Sequence, residues 1–202
     1  EIMSSDWSSD VCSSDLETAI RLAASLPSIA PLVPGLEGGV QVDGTAQEGA
    51  QGWTVDLTST GPATASARVA GRLAADFATA DLDVTGSAPL GLANAILAPN
   101  RVDGTLSFDL ALDGAPALQN VTGTVSTAGA RFEIAALSQA LEQIDLSVDL
   151  SGQQAVIDAR AASSAGGGLT VQGPVSLAPP LPADLAISLD GFALEDPRLF
   201  TT

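Results

Sequence analysis

Apolar and polar residues alternate with a period of two along most of this chain. The pattern is sharpest in VDGTLSFDLALDG, where Leu106, Phe108, Leu110 and Leu112 fall on one side and Ser107, Asp109 and Ala111 on the other. Successive side chains of a strand point to opposite faces, so this text predicts a sheet with one apolar and one polar face. The same period appears at Val40 and Val42, Val55 and Leu57, Leu82 and Val84, and Phe132 and Ile134. It returns at Leu146, Val148 and Leu150, at Leu169, Val171, Val175 and Leu177, and at Leu185, Ile187 and Leu189. Turn signals such as Asp113-Gly114, Ser151-Gly152 and Pro179-Pro180 separate the runs. Together they predict roughly ten strands, mostly antiparallel with their neighbours in sequence.

Two departures from simple alternation add detail. A Val, a polar or small residue and then Gly recur, ending at Gly44, Gly71, Gly104, Gly123 and Gly173. Each Gly shares a face with the Val two positions earlier, so the apolar row loses a side chain there and the sheet can bend or approach another backbone. Helical spacing appears in three places. The first is around Ile20, Leu22 and Leu26, before Pro27. The second is LGLANAIL at 90–97, and the third is AALSQALEQI at 135–144, where Leu137, Leu141 and Ile144 stand at i, i+4 and i+7. The last two read as plugs over the end or edge of a curved sheet.

Composition narrows the function. With 24 acidic residues against seven basic ones the net charge is -17, which repels phosphate backbones and argues against nucleic-acid binding. The chain has no His and a single Cys, Cys12, which removes Ser-His, Cys-His and His-ligated metal chemistry. The acidic residues Asp103, Asp109, Asp113, Asp145, Asp149, Asp158 and Asp190 sit at polar strand positions or in turns, where a solvated charge is the default reading rather than a glycosidase pair. GGGLTVQG lacks the Asp of a calcium-binding repeat, and no phosphate-binding loop is present. The reading is therefore non-enzymatic, with no cofactor and no metal. Aromatic residues make up 3%, too few for an aromatic-lined sugar or base site.

Residues 1–16 stand apart. Ser-Ser-Asp occurs three times within SSDWSSDVCSSDL, a string that resembles translated sequencing adaptor; a Ser/Asp-rich disordered tail is the alternative. Residues 17–202 read as one β-rich segment.

The order of elements from about Thr79 onward resembles the TamB and AsmA-like family of the bacterial envelope. The resemblance is carried by TADLDVTGSAPLGLANAIL, by RVDGTLSFDLALDGAPALQNVTGTVSTAGARFEI, by LSQALEQIDLSVDLSGQQAVIDARAASSAGGGLTVQGPVSL and by LDGFALEDPRLF. Gly166, Gly167 and Gly168 stand where that family places a Gly-Gly before a strand. The resemblance implies a curved, folded-over, antiparallel-rich sheet, a β-taco with an open groove and two or three short helices. It also implies a periplasmic location in a parent anchored to the inner membrane, working with an Omp85-type outer-membrane barrel. The implied clients are phospholipid acyl chains or nascent outer-membrane β-strands. The alternative reading is the structural stalk of a surface adhesin or autotransporter, which would show parallel coils of near-constant length.

On either reading the apolar face carries the interest. The expected groove is lined by Leu106, Phe108, Leu110, Leu112, Phe132, Ile134, Leu146, Val148, Leu150, Leu169, Val171, Val175 and Leu177. A closed sandwich and an open groove produce the same alternation, so the text leaves that choice to the structure.

Overall fold

A computed structural model of the chain describes residues 19–28 and 38–192. The adaptor-like segment 1–16 lies outside them. The described residues form twelve strands: β1 (Ala19–Leu26), β2 (Val40–Gly49), β3 (Gly52–Thr60), β4 (Ser66–Leu73), β5 (Ala80–Pro89), β6 (Arg101–Asp103), β7 (Thr105–Gly114), β8 (Val121–Ile134), β9 (Gln139–Ser151), β10 (Gln154–Ser163), β11 (Gly168–Ser176) and β12 (Ala186–Asp190). All belong to one open sheet in the order β1-β2-β3-β4-β5-β7-β8-β9-β10-β11-β12, with β6 also on β8. Every pairing is antiparallel; β1 and β12 end the order, and β6, paired only with β8, leaves its other side unpaired by any described strand. The predicted β-class, antiparallel pairing and open form are all present. The sheet does not close on itself, and no second sheet accompanies it among the described residues.

Register lines up the apolar positions strand by strand. One row across the sheet reads Leu22, Gly44, Leu57, Val69, Val84, Leu110, Gly123, Leu150, Ala155 and Val175. The row one residue along each strand is polar for most of its width, with Asp43, Thr58, Arg68, Thr85, Asp109, Thr124 and Asp149 in sequence across β2 to β9. Directly opposed residues in an antiparallel pair share a face, so the alternation of each strand adds up to two faces of opposite character.

The glycines of the Val-x-Gly pattern lie on the apolar face. A Cβ at Gly44, Gly71, Gly123 or Gly173 would fall on a backbone carbonyl oxygen of the adjoining strand segment: those of Asp56, Asp81, Asp109 and Asp184 respectively. Gly71, Gly123 and Gly173 also have positive φ, at 142°, 119° and 144°. Only glycine allows the backbone to pass this close to its neighbour.

The sheet is further creased across three adjoining strand lines. Gly104 (φ 135°) separates β6 from β7, β8 carries extra residues between Thr127 and Ala130, and β9 carries a bulge at Gln143 (φ 51°). Bulges bend a strand and raise its local twist. Ala130, only 1% exposed, sits in this crease, and Thr127 of β8 and Ala140 of β9 are also buried.

Two of the three helical expectations are corrected. Residues 19–26 form strand β1, because Ile20, Leu22 and Leu26 are separated by even intervals and share a strand face as readily as a helical one. At 135–144 there is a turn followed by β9. Leu141 and Ile144 mimic a helical i, i+3 step because Gln143 is inserted between them as a bulge, and both still pair toward the apolar face, opposite Phe132 and Ala130. The remaining insert is helical as expected, a 3-10 turn Leu90–Ala93 running into the single α-helical turn α1 (Asn94–Leu97). Short 3-10 turns also occur at Pro62–Thr64 and Leu118–Asn120.

Candidate apolar binding face

An apolar face in an ordinary domain is buried beneath a second layer. Here it is not. Among the described residues only seven apolar side chains are buried, five of them alanines, and no large side chain is fully buried. The remaining apolar row is half-buried, flanked by neighbours within the sheet and open above.

The structure brings the sequence-predicted lining residues of β7, β8, β9 and β11 to this face. Leu106, Phe108, Leu110 and Leu112 of β7 stand opposite Ala88, Gly86, Val84 and Leu82 of β5. On the far side, Leu150 and Val148 of β9 face Gly123 and Val125 of β8, and Leu146 faces Thr127. Val171 and Leu169 of β11 face Ala159 and Ala161 of β10, and Val175 faces Ala155. Phe132 lies opposite both Leu141 of β9 and Val102 of β6, beyond the crease, and Ile134 follows it on the same side of β8. Leu177, just past β11, is buried and donates its backbone N–H to the Gln153 carbonyl.

The face extends well beyond those residues. Leu22, Leu57, Val69, Val84 and Leu82 continue it through β1 to β5, and Ile157, Ile187 and Leu189 continue it toward β12. Their alternation is visible in the sequence; what was missing was the register that joins the two halves. Eleven strands abreast, spaced by about 4.8 Å, make a surface about 48 Å across. At the edges exposure rises, to 66% for Ile187 and 60% for Leu189 on β12.

The polar face is solvated and acidic. Its best-made contact is a fork between Arg68 and Asp56, with Nε to Oδ1 at 3.0 Å and Nη2 to Oδ2 at 2.8 Å. The hydrogen bonds donated by Arg68 hold the Asp56 carboxyl below the usual carboxylate range. Arg131 bridges Glu133 and Glu142 at 3.3 and 3.2 Å, all three on the side opposite Phe132 and Leu141. A shallow depression of about 370 Å3 near β9 to β12 is lined by Gln143, Asp145, Arg160, Thr170, Ser188 and Asp190 among others; it mixes charges of both signs and lies on the polar side of the apolar rows. Among the described residues no group of three or more metal-ligating side chains converges, and no helix is long and apolar enough to cross a membrane.

Among the described residues the apolar face is made mainly of aliphatic side chains, alanines, glycines and two phenylalanines, with Thr127 at the crease. Among the described residues, the one buried side-chain polar atom without a hydrogen-bond partner is Thr127 Oγ1. What remains is hydrocarbon surface, able to shelter an apolar ligand without directional recognition. No known protein family matches the chain, and no curated protein or solved structure matches it.

Proposed function

We propose that this chain is a non-catalytic segment of a TamB-like envelope protein whose open apolar face shelters hydrocarbon in the periplasm. The clients on this reading are phospholipid acyl chains moving between membranes, or apolar strands of outer-membrane proteins during assembly. The parent would be anchored in the inner membrane and would work with an Omp85-type barrel. The observation that carries the reading is the continuous, half-exposed apolar row from Leu22 to Val175 on a single-layered sheet. An antiparallel meander also differs from the stacked parallel coils of an adhesin stalk.

The energetics suit acyl chains. Each methylene taken out of water contributes about 0.8 kcal/mol, so eight sheltered methylenes supply roughly 6 kcal/mol before ordering costs. A face of Leu, Val and Ala imposes no geometric demand on the chain it covers, which fits a path along which lipid slides better than a site where it is held.

Leu110 is the residue to test, since it lies near the middle of the row and is only half-buried, so a charged replacement can be accommodated. In vesicles containing a photoactivatable acyl lipid, crosslinks to the face should fall at least tenfold in Leu110→Arg while the circular dichroism of the strands is unchanged. Crosslinking that persists at the wild-type level in a folded variant would remove the acyl path from this face.

A further inference from the structure

The insert between β5 and β6 is tied by hydrogen bonds to β6 and to Gly104 beside it. Its 3-10 turn starts at Leu90, whose N–H donates to the Gly104 carbonyl at 2.9 Å. Four residues on, Asn94 meets the free edge of β6. Its Oδ1 accepts from Val102 N–H at 2.6 Å and its Nδ2 donates to Val102 C=O at 3.1 Å. One carboxamide thus satisfies both backbone groups that a neighbouring strand would otherwise pair. A third tether joins Ala135 N–H to Asn100 Oδ1 at 3.2 Å.

Where the insert hooks over that edge it reaches the crease. A Cβ built on Gly104 would lie 2.8 Å from Ala130 Cβ and 3.3 Å from Leu90 Cδ1, so these three residues meet at the most buried point of the apolar face. Leu90 therefore occupies, from within the chain, a place where an apolar ligand would lie. Yet no residue of the insert is itself buried, and Ile96 on its outer side is 75% exposed. A segment held by a few hydrogen bonds, with none of its residues buried, opens far more readily than a strand paired along its length.

We infer that residues 90–100 form a releasable lid over the crease, clasped to β6 by the Asn94 carboxamide, and that its opening admits an acyl chain to the space Leu90 fills. The inference rests on the apolar face being a hydrocarbon-binding surface.

The test compares the wild-type chain with Asn94→Ala and Asn94→Asp, using a fluorescent polyene fatty acid as probe and amide hydrogen exchange as a separate readout. Losing both clasp bonds shifts the open population by about tenfold. In Asn94→Ala the Val102 and Leu90 amides should exchange about tenfold faster, those of β3 and β4 should be unchanged, and probe affinity should rise by a similar factor. Asn94→Asp keeps the acceptor and loses the donor, so it should fall between. Unchanged exchange at Val102 overturns the clasp. Faster exchange with wild-type affinity overturns the lid while leaving the hydrocarbon-binding face intact. If no protein, open or closed, takes up the probe, the binding face itself is refuted and the lid falls with it.

Discussion

Gly123 shows how much of this fold depends on single atoms. At φ 119° it sits where L-residues rarely go, and a Cβ there would fall on the Asp109 carbonyl oxygen and crowd Leu110 Cα. Gly123→Ala should therefore destabilise the sheet by about 2 kcal/mol or more, combining backbone strain with a steric clash that neither strand can relieve alone; denaturant unfolding measures it, and a loss of a few tenths would show that the backbone relaxes freely. The Val-x-Gly pattern made such positions legible, and Val84-Thr85-Gly86 belongs to it as well, since a Cβ on Gly86 would fall on the Ser66 carbonyl oxygen and crowd the Phe108 ring. On the polar face the Asp56 and Arg68 fork gives a second residue-scale prediction. Because the folded-state pKa of Asp56 is depressed, the pair's contribution is present above the ordinary carboxylate range and is lost as pH falls through the lower folded value. Carboxyl carbon shifts should show Asp56 titrating higher in Arg68→Ala, and added salt should narrow the difference because both side chains are about half-exposed.

At the scale of elements, strands read from the alternation are present, and the failures have a common physical origin. Helix and strand share some spacings: Ile20, Leu22 and Leu26 satisfy both periods, and only pairing with Ala46, Gly44 and Val40 of β2 decides between them. A bulge converts one period into the other, as Gln143 does between Leu141 and Ile144. Neither effect is local, since both depend on a partner strand that a window of sequence does not contain. The short insert was legible as a plug because Pro99 and the small residues around it leave no room for a longer element. Its clasp was not, because an Asn reading as an ordinary loop residue gives no sign that its amide will cap Val102 eight positions later. The same holds for the lining residues: each strand's apolar set is visible alone, while the alignment that makes them one surface is a property of register.

At the scale of the whole molecule, the described residues form a single open sheet with no covering layer among them, which has a consequence for how it unfolds. Each strand draws its support from its immediate neighbours, as in a repeat array, and not from a shared core. Stability should then be graded across the sheet. The long strands β8 and β9, of 14 and 13 residues and anchored at the crease, have neighbours on both sides. Strand β12 has five residues, all exposed, and one neighbour. Native-state hydrogen exchange should accordingly show protection highest at β8 and β9, falling toward β1 and β12, with edge amides exchanging through local openings at much lower free energy than the centre. A compact two-layer domain of this size would instead lose most of its amides together in one global event. A uniform set of exchange free energies from β2 to β11 would mean that the strands are coupled through something above the apolar face, and a face covered in that way could not stay open to a passing chain.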